Sequence, residues 1–433
     1  MRLAQTLWSY LQTRRLRFTA REALEQHQQR KLKQFIHQHL TRSPWFAPYL
    51  SQPLHTWPLM DKAVMMEHFD RINTAGLKLD EVLACAMQAE QSRDFKATVK
   101  GYSVGLSSGT SGSRGVFVVS PAEQAKWAGV LLAKLLPRGL FHGERVALFL
   151  RANNNLYMSV RNPWLSFEFF DLFDPFEAHF DRLNHYDPTI VVGPAQVLRS
   201  LALATTAGHL TIRPHKVISG AEVLDPVDKV LIGASLGTVG EVYQATEGFL
   251  AATCQHGTLH LNEAHIHVEP QWLDSERFVP VITDFTRVTQ PIVRYRLDDI
   301  LVRRATPCPC NSHEMALERI EGRCDDLLRL PGVNGSPVDV FADGLSRAIA
   351  QTLPHTADYR LVQTGPASLT LHVDAPDGQL AQYQAQLNAY LQWLGVATTN
   401  LQWQLHAALP ATDFSAKRRR ITRHPHTGTQ SRL

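Results

Sequence analysis

The sequence predicts an α/β protein: a large N-terminal domain with mostly parallel sheets flanked by helices plus a β subdomain, then a small α+β C-terminal domain. Three observations carry that prediction. Residues 116–220 alternate short apolar runs (VFVV, RVALFL, TIVVG, KVISG) with segments of helical period, the pattern of βαβ units around a parallel sheet. Residues 241–304 change to shorter β-like pieces, TLHLNE, IHVEP, FVPVITDF and IVRYRLDDILVRR, separated by turn residues. Beyond the Pro- and Gly-rich stretch DDLLRLPGVNGSP, read as a loop that can bend, a helix at 338–352, two strands, a further helix and a last strand form a compact unit. With 433 residues the chain exceeds one ordinary core. The boundary is placed at 323, giving domains 1–323 and 324–433.

Ahead of these elements, residues 1–100 read as helical. AREALEQHQQRKLKQFIHQHL spaces its apolar residues for one helix face, and MDKAVMMEHFDRI repeats the pattern after Pro58. The first segment, MRLAQTLWSYLQTRRLRF, carries its arginines after its apolar part and has no small-residue cleavage site, so it reads as an amphipathic helix capping the large domain. Hydrophobic residues are 44% and charged residues 19%, and no apolar run approaches the roughly 18 residues needed to span a bilayer. A cytoplasmic protein without a membrane span is expected. The net charge of +4 is mild, and much of the excess lies in KRRRITRH near the C-terminus. Five cysteines, an odd number, argue for thiols or metal ligands and against a disulfide framework. Cys85 reads as core and Cys324 as a spectator thiol.

The most informative segment is SSGTSGSRG at 107–115, between an apolar stretch and the run VFVV. Its glycines let backbone N–H groups turn toward an anion, while Ser107, Ser108, Thr110, Ser111 and Ser113 add hydroxyl donors and Arg114 adds charge. The Gly-Lys-Ser/Thr ending of a Walker loop is absent. A phosphate site of another kind is implied.

Read with this loop, four further segments in order resemble the motif series of the adenylate-forming superfamily of acyl-CoA synthetases and ligases. The match is nearest to the branch of phenylacetate-CoA ligases, deazaflavin-cofactor adenylyltransferases and capsule-biosynthesis relatives, over residues 102–421. The resemblance implies that Ser107, Ser108, Gly109, Thr110, Ser111, Gly112 and Arg114 grip the β and γ phosphates of ATP, with Ser113 standing where the family has a lysine. SGAE (Ser219, Gly220, Ala221, Glu222) would line the adenine ring. In YQATEG, Tyr243 and Gln244 would border adenine, Thr246 would bond the α-phosphate, and Glu247 would hold Mg²⁺. In RYRLDDI, Asp299 would accept the ribose hydroxyls, with Asp298 as its competitor and Leu297 in place of the family threonine. EGRCDD supplies Arg323 for ribose or phosphate and Asp325 as the pivot of a mobile C-terminal domain. Lys417, preceded by Ala416 where the family has glycine, would be the catalytic lysine, together with Thr246 and Glu247. Arg418, Arg419 and Arg420 are candidates for coenzyme A phosphates, or form a solvated basic tail.

Cys254, His260, Cys308 and Cys310 offer three thiols and an imidazole, a tetrahedral Zn²⁺ set of a structural kind, with His256, His265 and His267 as alternatives to His260. The same branch shows a similar pattern. The acyl site is assigned to 151–176, rich in aromatics and amides, which a packed core helix explains equally well. The implied reaction is activation of a carboxylic acid by ATP and Mg²⁺ to acyl-AMP, then transfer to a thiol, of coenzyme A or a carrier protein. Alternatives are AMP transfer to a phenolic or other hydroxyl, acyl transfer to an amine or sugar, and an adenylation fold without catalysis. A reading of another class, a zinc-containing nucleic-acid-binding protein, explains only the basic tail and the CPC turn; no nucleic-acid partner is expected, and a homodimer is left open.

Overall fold

The computed structural model describes residues 2–94, 96–107, 115–136, 138–150, 164–324, 327–414 and 417–424. Its centre is a single twelve-stranded sheet. Five strands run parallel in the order Leu165–Asp171, Glu144–Leu150, Ile190–Gly193, Lys216–Ser219, Val239–Ala245. The nearly continuous apolar runs of Glu144–Leu150 and Ile190–Gly193 suit strands covered on both faces. The helix Pro121–Leu135 covers one face, against Val146, Ile190 and Ile218. The helices Ala195–Thr206 and Pro226–Leu236 cover the other, against Ala147, Phe149, Val191 and Val217.

The β pieces expected after residue 241 extend this same sheet. Val239–Ala245 pairs parallel with Lys216–Ser219, then turns back antiparallel onto Gly248–Thr253. From there the order is Leu259–Leu261, Ala316–Arg323, Asp299–Arg303, Arg277–Asp284 and Ile266–Trp272, with Ile292–Arg296 also on Arg277–Asp284. One sheet therefore carries strand ends from the parallel half and hairpin turns from the antiparallel half to a common edge.

The N-terminal helix Arg2–Arg15 lies on Pro121–Leu135, and Ser9 Oγ donates to the Lys126 carbonyl at 2.9 Å. Gly129 permits the approach: a Cβ there would stand 2.5 Å from the Thr6 carbonyl oxygen and 2.6 Å from Ser9 Cβ. Helix Pro121–Leu135 starts at a capping box, with Ser120 and Glu123 bonding each other's backbone N–H. Glu123 also accepts from the backbone of Val288 and Thr289, locking this helix to the antiparallel half. Tyr102–Leu106 and Val116–Val119 form a hairpin whose loop is the serine-glycine segment.

Two sequence expectations change. The stretch read as a bending loop after 325 is a hairpin, Leu328–Pro331 with Pro337–Val340, because Leu328, Leu330 and Val340 alternate into a core. The helix expected from 338 accordingly begins at Ala342. In 151–176 the residues Leu165–Asp171 form a β-strand, not a packed helix, with Phe170 stacked on Phe149 at 4.7 Å; residues 151–163 lie outside the described residues. The C-terminal unit is a four-stranded sheet, Gln402–His406, Ser368–Val373, Tyr359–Gly365 and Ile421–Arg423, covered by Ala342–Ala350 and Leu380–Trp393 around its own core. No described helix is long and apolar enough to cross a membrane.

Candidate active site

At the common edge of the sheet lies a cavity of about 310 Å³. Thr246 and Glu247 are the two turn residues between Ala245 and Gly248, which pair directly across the hairpin. Gly248 is required there, since a Cβ would fall 2.8 Å from Asp284 Oδ2. Arg287 Nη1 holds the turn by donating to the Thr246 carbonyl at 3.0 Å.

Asp299 and Arg323 come from motifs two dozen residues apart, yet they are direct cross-strand partners. Tyr243 donates its hydroxyl to Asp299 Oδ2 at 2.5 Å. Asp298 lines the same cavity but is half exposed and paired with Arg323 Nη2 at 3.1 Å. Burial raises the Asp299 carboxyl above its ordinary range, against the opposing pull of Tyr243, Arg323 and Lys417. Burial likewise raises Glu247, opposed by a hydrogen bond from Tyr295 and reinforced by the charge of Asp299. Two half-buried carboxylates thus share one cavity, an arrangement that favours a cation or hydrogen-bond donors between them.

Ser219 ends a parallel strand, and its buried Oγ has no hydrogen-bond partner among the described residues. Gly220 donates its N–H to the Gly193 carbonyl, and Ala221 takes a left-handed φ of 65° that a side chain larger than alanine would find harder to hold. Glu222 lines the cavity, but its oxygens accept from the Gln196 backbone and side chain and from the Arg418 backbone N–H. It therefore joins a helix start to the C-terminal unit. Ser107 closes the base of the serine-glycine loop through two 2.8 Å bonds with Gly115. Ser108, Gly109, Thr110, Ser111, Gly112, Ser113 and Arg114 lie outside the described residues, as do Asp325 and Ala416.

Lys417 lines the cavity, and its charge acts on Asp299. Of the arginines that follow, two are tied into an ion-pair cluster with aspartates rather than forming a solvated tail. Arg420 Nη1 and Nη2 bond Asp228 at 2.9 and 2.8 Å, and its Nε bonds Asp358 at 2.8 Å. Arg418 bonds Asp358 at 2.8 Å and also pairs with Asp228. Arg199 completes the cluster at 3.1 Å from Asp228. Asp228 is fully buried; burial alone would raise its carboxyl, but Arg420 and Arg418 hold it below the ordinary range. Arg419 remains at the cavity wall.

Sequence reasoning missed Lys62, Arg287 and Tyr295. Met60 bonds the backbone on both sides of Tyr295, which carries Asp61 and Lys62 to the cavity from a helical region with no phosphate-binding pattern. Only Tyr295 had a readable signal, standing in the RYRLDDI string.

Away from the cavity, the ligand atoms of Cys254, His260, Cys308 and Cys310 all lie within 4.8 Å of one another. Cys254 Sγ is 3.6 Å from Cys308 Sγ, and Cys310 Sγ is 3.3 Å from His260 Nε2. These are the edge lengths of a small tetrahedron with metal–ligand bonds of about 2.0–2.3 Å. His260 Nδ1 lies 3.1 Å from the Glu314 carbonyl, which would leave Nε2 for a metal. His265 is instead within 3.4 Å of Thr13 Oγ1.

No protein-family model and no curated protein matches the chain. Solved structures do. 2-Hydroxyisobutyryl-CoA ligase in the postadenylation state, in complex with 2-HIB-AMP, is 18% identical with a TM-score of 0.68, over 93% of this chain and 89% of that one. The same ligase in the thioesterification state, in complex with 2-HIB-AMP and CoA, is matched at 16% identity and TM-score 0.53, over 92% and 88%. The amide bond synthetase McbA from Marinactinospora thermotolerans is matched at 12% identity and TM-score 0.53, over 73% and 67%. The chain has the fold of the adenylate-forming ligases. Within that fold its arrangement is more similar to the postadenylation form of the first ligase than to the thioesterification form.

Proposed function

We propose that the protein activates a carboxylic acid with ATP, forming acyl-AMP and pyrophosphate, and passes the acyl group to a thiol, with coenzyme A as the acceptor. One observation carries this reading: Tyr243, Thr246, Glu247, Asp299, Arg323 and Lys417, from four separate segments, surround one cavity. Tyr243 would present its ring to adenine while its hydroxyl, bonded to Asp299, fixes the carboxylate that accepts the ribose hydroxyls. Thr246 would bond the α-phosphate, and Lys417 would stabilise charge there as the acid's oxygen attacks and pyrophosphate departs. Glu247, half-buried in the same cavity as Asp299, has the hard oxygen donor that fits Mg²⁺. Bound Mg²⁺ would neutralise phosphate charge. The C-terminal unit, from 324 onward, would swing to bring the thiol to the acyl-AMP. Amide formation is a second reading, supported by the amide bond synthetase that has the same fold. The nucleic-acid reading has less to support it, because Arg418 and Arg420 are paired with the buried Asp228 and the half-buried Asp358. Acid-dependent ATP–pyrophosphate exchange, followed by mass spectrometry of the conjugate, tests the first step and names the acceptor. Absence of exchange and of ATP binding would remove the reading.

The electrostatics fix a pH dependence. Because the folded protein holds the Glu247 proton to higher pH than the unfolded chain, this group's contribution to stability is greatest below about 4.3 and declines as pH rises toward the raised value. Magnesium-dependent ATP binding needs the ionised form, so its affinity is expected to rise with pH over that same window. Glu247→Gln is expected to weaken the binding and flatten the profile, as measured by calorimetry.

The four-ligand set fits structural Zn²⁺ by donor chemistry and spacing. Metal analysis of the purified protein is expected to find zinc, and Cys308→Ser to lose it. That loss is expected to lower the unfolding temperature while ATP–pyrophosphate exchange survives below it.

A further inference from the structure

Between helix Pro121–Leu135 and the facing side of the parallel strands lies a second cavity of about 120 Å³. Strand periodicity builds it: Phe167, Leu148, Val192, Ile218 and Val242, one from each of the five parallel strands, face it at inward positions. Leu131 and Leu135 of the helix form its roof. Among its described lining residues Gln244 is the only one with a polar side chain. Gln244, Val242 and Ala221 line the nucleotide cavity as well, so the two spaces meet at the motif residues. Gly220 stands at this junction, where a Cβ would fall 2.7 Å from Val242 Cγ1.

Well-packed interiors leave few voids larger than a water molecule. A hydrocarbon-lined space of this size, opening beside a reaction site, is a ligand space rather than a packing fault. We propose that it takes the hydrocarbon part of the carboxylic acid: an uncharged, unhydroxylated chain of about four to six carbons, or a single unsubstituted ring. The size follows from comparison with an engineered apolar cavity of about 150 Å³ that stays dry and binds benzene. The polarity follows from the walls, which offer a distal hydroxyl, amine or second carboxylate almost no partner. This inference rests on the reading of the adjoining cavity as the adenylate site.

The test is acid-dependent pyrophosphate exchange with straight-chain acids from acetate to dodecanoate, with benzoate, 6-hydroxyhexanoate and adipate. The specificity constant is expected to rise roughly fourfold per methylene to a maximum near hexanoate and to fall for longer acids. 6-Hydroxyhexanoate is expected to be about 10- to 100-fold poorer than hexanoate, and adipate poorer still. Equal use of adipate and hexanoate, or an optimum at dodecanoate, would overturn the proposal. Val192→Phe, which fills the cavity, is expected to move the optimum toward acetate and propanoate; an unmoved optimum in a folded variant counts against it. If no acid supports exchange, the adenylate reading fails, and ligand-observed NMR with hexanoate and toluene decides the cavity separately. Binding of both, lost in Val192→Phe, keeps the apolar site, and binding of neither refutes it.

Discussion

Lys417→Ala is expected to slow acyl-AMP formation by about 100- to 1,000-fold while leaving thioester formation from prepared acyl-AMP little changed. The asymmetry follows from position. Lys417 borders the cavity on a segment anchored by the next residue, whose backbone N–H bonds Glu222 and whose guanidinium sits between Asp228 and Asp358. On the proposed reading, its ammonium would stabilise the charge that builds during attack on the α-phosphate. An acyl-AMP already formed no longer needs that charge. ATP–pyrophosphate exchange measures the first step and thiol consumption the second; equal losses in both would refute the assignment. Lys417→Arg is expected to rescue poorly, because a planar fork does not replace a compact ammonium.

Asp228→Ala is expected to lower the free energy of unfolding by about 3–5 kcal/mol, because it leaves Arg199, Arg418 and Arg420 buried without their shared partner. The size reflects complete burial of the carboxylate, unlike a surface pair. Urea unfolding read at the C-terminal unit checks it. An unchanged midpoint would mean that Asp358 alone satisfies the cluster. The cluster also carries an acid limit. Burial opposes ionisation of Asp358, but Arg420, Arg418 and Arg199 bring its carboxyl down to about 2. Its contribution is therefore full above the unfolded value near 3.9 and is lost as pH falls through about 2. Asp228→Ala is also expected to slow pyrophosphate exchange, since Lys417 loses the anchor beside it.

Much of the fold was legible because period and punctuation agree. Helix Ala195–Thr206 falls where AQVLRSLALATT places it, and the strands at 145–150, 189–193 and 216–220 are within a residue or so of their apolar runs. The strand at Leu165–Asp171 was not legible, since LSFEFFD mixes aromatics and charges in a way that fits either period. The continuity of the sheet was hidden too, because a hairpin turn written Thr-Glu lacks the glycine or asparagine that marks most tight turns. At the site, strings with unusual residues in fixed order stood out, whereas Lys62 and Arg287 arrive through tertiary pairing alone. The basic run was misread for a related reason. Composition shows charge but not its partners, and Asp225, Asp228 and Asp358 lie far away in the chain.

The connection 304–315 joins the strands that set Asp299 across from Arg323, and the same connection carries Cys308 and Cys310. Strand side chains alternate between faces, so deleting one residue there, if the lost residue were absorbed as strand slippage, would turn Arg323 away from the cavity. A metal tethering both cysteines to Cys254 and His260 in the neighbouring hairpin would remove that freedom. A metal held by the three thiols and the imidazole would thus serve as a ratchet stop on chain slippage, and evolutionary length changes are expected to accumulate in other surface turns rather than in this one.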